Sequence, residues 1–470
     1  MIWPFLFVKT RVTLAKRMFQ TVLLILLLSY LGGLMIVGFR DARSLRGFSD
    51  FVVAGRRQGL VAVVMSILAT IIGASTTIGL VDTAFRIGFP AVWWLLWGSL
   101  GLLVQALTIS SRFRAFHADT LPDVARITVG RCAEMLLALL ICVAWIGVIA
   151  GQFAAMSGII SFLMGTESRA TFLVVSMIVI GYTSLGGQLS VVRTDMVQLP
   201  VILCGIALCC LYLYFGGSDI AQPPQLELLN ESYGGADLAK QLFVIGGVYF
   251  LGPDILSRSL IAKDGRTARR AVLTASGVLV VFAVVITLIG VWARQNAPEA
   301  GQGGTGVLLY VLGNSIPRPL GIILSLAIVS ALLSSVDTCL INAASIFAKD
   351  VLRRESIPCV RACVVGMGIL ALTFTLFNRG DIIAMLTGAY SIYAPGVICP
   401  MLVAVLCHGK HPLRRSGWFA AVVLGGLCGI LGTYCKGVFT PALADMLPIA
   451  GMALSLIASL AAVRWNTRAA

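Results

Sequence analysis

The chain has 470 residues, 59% of them hydrophobic and only 12% charged, with a mean hydropathy of +0.97. That balance excludes a soluble globular domain, in which about a quarter of residues are charged. The net charge of +15 would suit a nucleic-acid partner, but the Lys and Arg are spread over short stretches between apolar runs, so no nucleic-acid role is expected.

About thirteen apolar runs follow one another, each long enough to cross the hydrocarbon core. They fall near residues 20–38, 60–83, 88–110, 133–163, 170–186, 189–215, 241–261, 271–294, 318–348, 360–378, 381–407, 417–436 and 442–463. The expected fold is an all-α integral membrane protein with about 13 transmembrane helices. With the N-terminus outside, the inward loops hold 24 of the 35 Lys and Arg. That asymmetry sets N-out, C-in in the cell (inner) membrane, multi-pass. The outward loop 216–240 agrees, with Asp219, Glu227, Glu231 and Asp237 against Lys240. Lys9, Arg11, Lys16 and Arg17 run against the rule and are expected to form an interfacial helix.

Two runs carry helix breakers. Run 60–83 contains LATIIGASTTIGL, where Gly73 and Gly79 bracket Ser75, Thr76 and Thr77. Run 241–261 contains VIGGVYFLGPDIL, with Gly246, Gly247 and the Gly252-Pro253 pair. Backbone carbonyls freed from a helix are tolerated at membrane depth only where they line a cavity. The two runs are second and seventh in order, and paired interruptions in corresponding positions point to a transporter site between inverted repeats. The alternative is close packing through small residues.

Run 318–348 holds a single carboxylate, Asp337, near its centre. An ionised acid there is costly without a partner, water or a cation. Ser330, Ser334, Asp337, Thr338 and Ser345 recur at helical spacing, so they are expected to share a face turned into the bundle while Leu and Ile meet lipid. An oxygen-rich buried face suits a small hard cation. Asp337 itself is either an ion ligand or a protonated acid bonded to a neighbouring helix.

The twelve cysteines form no CxxC pair, and most lie in apolar runs as small apolar side chains, so no zinc-type site is expected. His117, His408 and His411 fall in loops. No nucleophile–base pairing supports an enzyme.

Four segments carry a resemblance. YTSLGGQLSVVRTDMVQ at 182–198, SRSLIAKDGRTARRA at 257–271, LSSVDTCLINAASIFAKD at 333–350 and AYSIYAPGVICPMLVAVL at 389–406 stand in order along the chain. Together they resemble the sodium:solute symporter family. The resemblance implies a leucine-transporter-like core of five-plus-five inverted repeats. Residues 1–59 would form an N-terminal segment with one extra helix, 60–216 the first repeat, 217–240 an extracellular loop, 241–407 the second repeat, and 408–470 the C-terminal helices. It places sodium on the carbonyls of Ala69, Ile72 and Ala331 and the hydroxyls of Ser334 and Ser335. A possible second ion position falls at Asp337 and Thr338. Asp195 falls on the ion release path, or else is a helix-end acid paired with Arg193. The segment at 257–271 matches the family's basic loop after the seventh run.

Ser75, Thr76, Gln152 and Tyr249 are the candidates for the solute pocket, with Gln152 alternatively an interhelical hydrogen bond. Where sugar carriers use acidic and amide groups, the first broken helix has Ser75 and Thr76, which argues against a sugar. The expected function is sodium-coupled import of a small organic solute by alternating access, by a monomer in the bilayer with no cofactor besides the coupling ion. The alternatives are proton coupling through Asp337 and a transporter-like membrane sensor.

Overall fold

The computed structural model describes residues 3–165, 168–216, 223–302, 306–377, 382–435 and 438–464. Among these residues the regular structure is helical, with only isolated bridges such as Gln58 to Ala262. Eleven helices are long and apolar enough to span a membrane, and the pair Leu60–Ile71 and Ser75–Ile87, bent by 64°, makes a twelfth. Large apolar side chains such as Val143, Val197, Val281 and Phe215 face outward. Exposed apolar surface of that extent suits lipid and not water.

The thirteen expected runs differ from this count at one place. Runs 170–186 and 189–215 are joined in a single helical element, Arg169–Phe215, of 47 residues. At about 1.5 Å per residue it would be roughly 70 Å long, over twice the hydrocarbon thickness. Gly187 interrupts it at φ 62°, ψ −163°. A Cβ on Gly187 would stand 2.8 Å from both the ring and the carbonyl oxygen of Phe51. Positive φ and a close neighbour together require glycine there.

The helix Arg318–Ile346 occupies the centre, packed against Arg169–Phe215, Arg131–Met164, Ile357–Phe377 and Leu60–Ile71. Every residue from Ala327 to Ile346 is buried. The expectation that its Leu and Ile meet lipid therefore fails from Ala327 onward, where surrounding helices cover them, and holds only near the start of the helix, where Ile323 is exposed. The outer helices carry most of the lipid-facing apolar surface. The basic N-terminal stretch continues the first helix back to Trp3, giving Trp3–Ala42; the side chains of Lys9, Arg11, Lys16 and Arg17 lie outside the described residues. That helix lies along Arg169–Phe215.

One end of the bundle is tied by ion pairs. Lys349, at the end of the central helix, donates to Asp119 at 2.6 Å and Asp123 at 2.9 Å. Arg56 reaches Asp119 at 2.5 Å, and Arg126 reaches Asp123 at 2.5 Å.

Candidate ion and solute site

The first helix break is built by redirected backbone donors. In an unbroken helix the Gly73 N–H would bond the Ala69 carbonyl. Here it reaches Ile71 O at 3.0 Å and Thr76 Oγ1 at 2.9 Å. The Ala74 N–H, due to Thr70, instead reaches Gln152 Oε1 at 2.9 Å. The carbonyls of Ala69 and Thr70 are thus released. Ile72 ends the helix at φ −84°, ψ 83°.

The central helix supplies hydroxyls to those released carbonyls. Ser334 Oγ donates to Ala69 O at 2.8 Å and to Ala331 O at 3.0 Å. Ser335 Oγ donates to Thr70 O at 2.9 Å and lies 3.5 Å from Ala69 O. Gly73 makes this approach possible, since a Cβ there would meet Ser335 Oγ at 2.3 Å. Ala69, Ala331, Ser334 and Ser335 are therefore brought together, with Ile72 at the break beside them. All five are buried. The cluster is neutral, oxygen-rich and shielded. Its hydroxyl protons can rotate away and present lone pairs to a cation in place of water.

Asp337 and Thr338 do not point together. Asp337 accepts from Thr183 Oγ1 at 2.5 Å and from Tyr182 OH at 2.8 Å, both on the helix to one side. Thr338 turns toward the half-helix Pro253–Ile261, where Arg258 Nη2 donates to its hydroxyl. The expected single polar face is thus divided among four neighbours, because Ser334 meets Ala69 and Ser330 bonds Tyr30 at 3.1 Å.

Arg258 is the residue that sequence reasoning misplaced. Counted with a basic loop, it is fully buried. Its Nε donates to Thr70 Oγ1 at 3.0 Å, and its guanidinium lies 3.8 Å from Asp195. Asp195 in turn accepts from Ser66 Oγ at 2.5 Å. The pairing of Asp195 with Arg193 does not form, since Arg193 reaches Asp41 instead. Asp195 Oδ1 and Arg258 Nη1 have no partner. A Gly-Pro break directly upstream was the available signal that Arg258 begins inside the bundle.

The solute candidates separate. Thr76 holds the break closed on itself, donating to Ile71 O at 2.9 Å, so its hydroxyl is committed. Gln152 caps Ala74 and so serves the break, while Ser75 is buried in the turn beside it. Tyr249 packs its ring on the helix Trp93–Thr108, where a Cβ on Gly98 would stand 2.7 Å from it. It therefore faces that helix and not the first break.

The second break lies at Leu251–Gly252, where Gly252 adopts φ −64°, ψ 136°. Tyr393 OH bonds Leu251 O at 2.5 Å, and Trp145 meets the Tyr393 ring edge-on at 5.0 Å. Trp145 and Gln152 are seven residues apart on one helix, so one helix face joins the two breaks across about 10 Å. Two discontinuous helices, crossed by a hydroxyl-bearing central helix, define a secondary transporter of the inverted-repeat class.

The comparisons agree. The sequence pattern of the sodium:solute symporter family matches residues 51–425, and the chain belongs to that family. It is a sodium-coupled symporter of a small solute and not an enzyme. It is similar to the high-affinity proline transporter PutP of Bacillus subtilis, at 21% identity over 90% of this chain and 94% of that one. It is also similar to the high-affinity choline transporter 1 of Drosophila melanogaster, at 24% identity over 93% of this chain and 76% of that one. Among solved structures, that of a Na+-coupled sialic acid symporter in a substrate-bound outward-open state superposes with a TM-score of 0.75 at 15% identity, covering 96% of this chain and 99% of that one. MhsT in complex with L-phenylalanine superposes at 0.57 and 13% identity, over 86% of this chain and 98% of that one.

Proposed function

We propose that sodium binds on the carbonyls of Ala69, Ile72 and Ala331 and the hydroxyls of Ser334 and Ser335, and that its binding drives import of one small organic solute seated between the two helix breaks. The observation that carries this reading is the meeting of Ser334 and Ser335 with carbonyls released by the first break. Sodium there would tie the half-helix Leu60–Ile71 to the central helix. Its departure would free that half-helix to swing, which is what alternating access needs. The solutes named for the relatives, proline and choline, set the size class.

One sodium per cycle is the stoichiometry this geometry favours. The second position at Asp337 and Thr338 has its oxygens engaged by Tyr182, Thr183 and Arg258, and the guanidinium repels a second cation. One inward charge contributes about 2.3 kcal/mol per 100 mV of membrane potential. Asp195, on Arg169–Phe215, accepts from Ser66 of the half-helix Leu60–Ile71, which supports a role in receiving the ion as it leaves.

The Gly187 interruption supports thirteen crossings with the N-terminus outside and the C-terminus inside, in the cell (inner) membrane. The repeats would run over 60–216 and 241–407, joined by 217–240, with 1–59 and 408–470 flanking them. All the ion ligands come from one chain, which supports a carrier that works as a monomer. Thermal unfolding of the purified protein tests the reading. Sodium should raise the transition temperature over potassium, and Ser334→Ala should abolish the difference. Equal solute uptake by vesicles in sodium and in potassium would exclude the proposal.

A further inference from the structure

The second break carries a carboxylate that the ion site does not use. Asp254 stands in the first turn of Pro253–Ile261, 8% exposed. Its Oδ1 accepts only the adjacent Ile255 N–H, at 3.0 Å. Its Oδ2 faces the Cys339 thiol at 3.9 Å. A thiol is a weak donor. Arg258 sits one turn further along the same half-helix but turns to Asp195, Thr70 and Thr338. Among the described residues no cation forms an ion pair with Asp254.

The surroundings fit one kind of guest. Trp145 is fully buried and its indole N–H has no acceptor. Trp145 also packs on Tyr393 and lies 6.4 Å from Tyr390, ring centre to ring centre. Aromatic faces beside a desolvated carboxylate attract an ammonium, through the ring quadrupole on one side and the full charge on the other. Cys339, which touches Asp254, is one helical turn from Ser335 of the ion cluster, so the two positions are close without sharing a ligand.

Charge balance points the same way. The middle of the bundle holds three buried acids, Asp195, Asp254 and Asp337, against one buried guanidinium, Arg258. As carboxylates they exceed it by two charges. With all three ionised, sodium would supply one positive charge and a cationic group on the solute the other. A sugar or a monocarboxylate leaves Asp254 uncompensated, which is costly in a dry site.

We propose that the solute carries an amine, and that Asp254 at the second helix break is its counter-charge, with Trp145 and Tyr390 flanking the ammonium. This rests on the sodium-symport reading and adds the chemical class of the solute to it.

The test uses the purified full chain in sodium and in potassium. The probes are L-proline, choline and putrescine as amines, with D-glucose and L-lactate as controls, and binding is read from thermal unfolding. At least one amine should bind in sodium and neither control should. Asp254→Asn should weaken that amine by roughly 30-fold or more, and Asp254→Glu should restore most of the loss. The response to sodium alone, read in the same samples, reports that each variant is folded. Binding of glucose or lactate, silence from all three amines, or amine binding unchanged in Asp254→Asn each overturns the inference. Should sodium itself fail to stabilise the wild-type protein, the symport reading falls first and this inference with it.

Discussion

The guanidinium of Arg258 and the carboxylate of Asp195 face each other at 3.8 Å with neither exposed to solvent. They come from different helices, Pro253–Ile261 and Arg169–Phe215, and Arg258 also holds Thr70 and Thr338. The guanidinium is thus held by the half-helix Leu60–Ile71 through Thr70 and by the central helix through Thr338. Removing one member of such a pair leaves a buried charge alone. Arg258→Gln should lower stability by roughly 3–5 kcal/mol, and Asp195→Asn by a similar amount. The double variant should lose less than the two single losses combined. Denaturation of the four proteins in detergent measures this cycle, and strict additivity would show that the two groups do not interact.

Ser334→Ala and Ser335→Ala each delete one hydroxyl of the proposed ion site without adding bulk. Each should raise the sodium concentration needed for half-maximal stabilisation by roughly tenfold or more, the usual scale for a bond to a charged group. Ser330→Ala, on the same helix but bonded to Tyr30, should leave sodium dependence as it is. A sodium titration of the three variants makes the comparison.

Asp337→Asn separates the two readings of that acid. Its oxygens accept from Tyr182 and Thr183, and an amide can accept only on one side. The variant should be less stable by about 1–3 kcal/mol, while the number of sodium ions bound per protein should not change. A lower count of radioactive sodium at saturation would return Asp337 to the ion path.

Gly73→Ala tests the approach that builds the site. The added Cβ would fall 2.3 Å from Ser335 Oγ, so the hydroxyl must turn away or the helices must part. Sodium stabilisation should be lost although the hydroxyls are still in the sequence. Retained sodium affinity in Gly73→Ala would mean that the first break can open without cost to the ion cluster.

Much of this was legible before any coordinates. Apolar length gives the spans, because a hydrocarbon core admits few alternatives to a helix. Glycine spacing in LATIIGASTTIGL marks the first break, and of the five residues the family pattern singles out, Ala69, Ala331, Ser334 and Ser335 come together in the structure. What failed was direction. Asp337 and Thr338 are adjacent in sequence, so their side chains differ by about 100° around the helix axis, and each found a different neighbour. Helical spacing states which residues share a sector but not which helix stands opposite. Arg258 failed for a related reason. In a run of Arg and Lys the first residue looks like the last, and only the packing of Thr70 and Thr338 against it shows that the helix starts inside the bundle. Asp254 does not stand out in the sequence, because the Gly252-Pro253 pair beside it is by itself a sufficient reason for a polar residue at a helix start.

Acid should loosen the end of the bundle tied by Lys349. Asp123 lies in the short helix Leu121–Thr128, outside the spans. Burial pushes its carboxyl up, but Lys349 and Arg126 outweigh that, and the net position lies below the usual carboxylate value. A group depressed on folding contributes stability above its unfolded pKa, and the contribution disappears as pH falls through the folded one. The contact between Lys349 and Asp123 should therefore be intact at neutral pH and fail only below the ordinary carboxylate range, under about pH 4. Hydrogen exchange at residues 119–126 should rise on acidification through that window. Asp123→Asn should show raised exchange there already at pH 7, together with faster sodium release if opening of this end limits the return of the ion. Unchanged exchange in Asp123→Asn would leave Arg56 and Asp119 as the contact that holds the end closed.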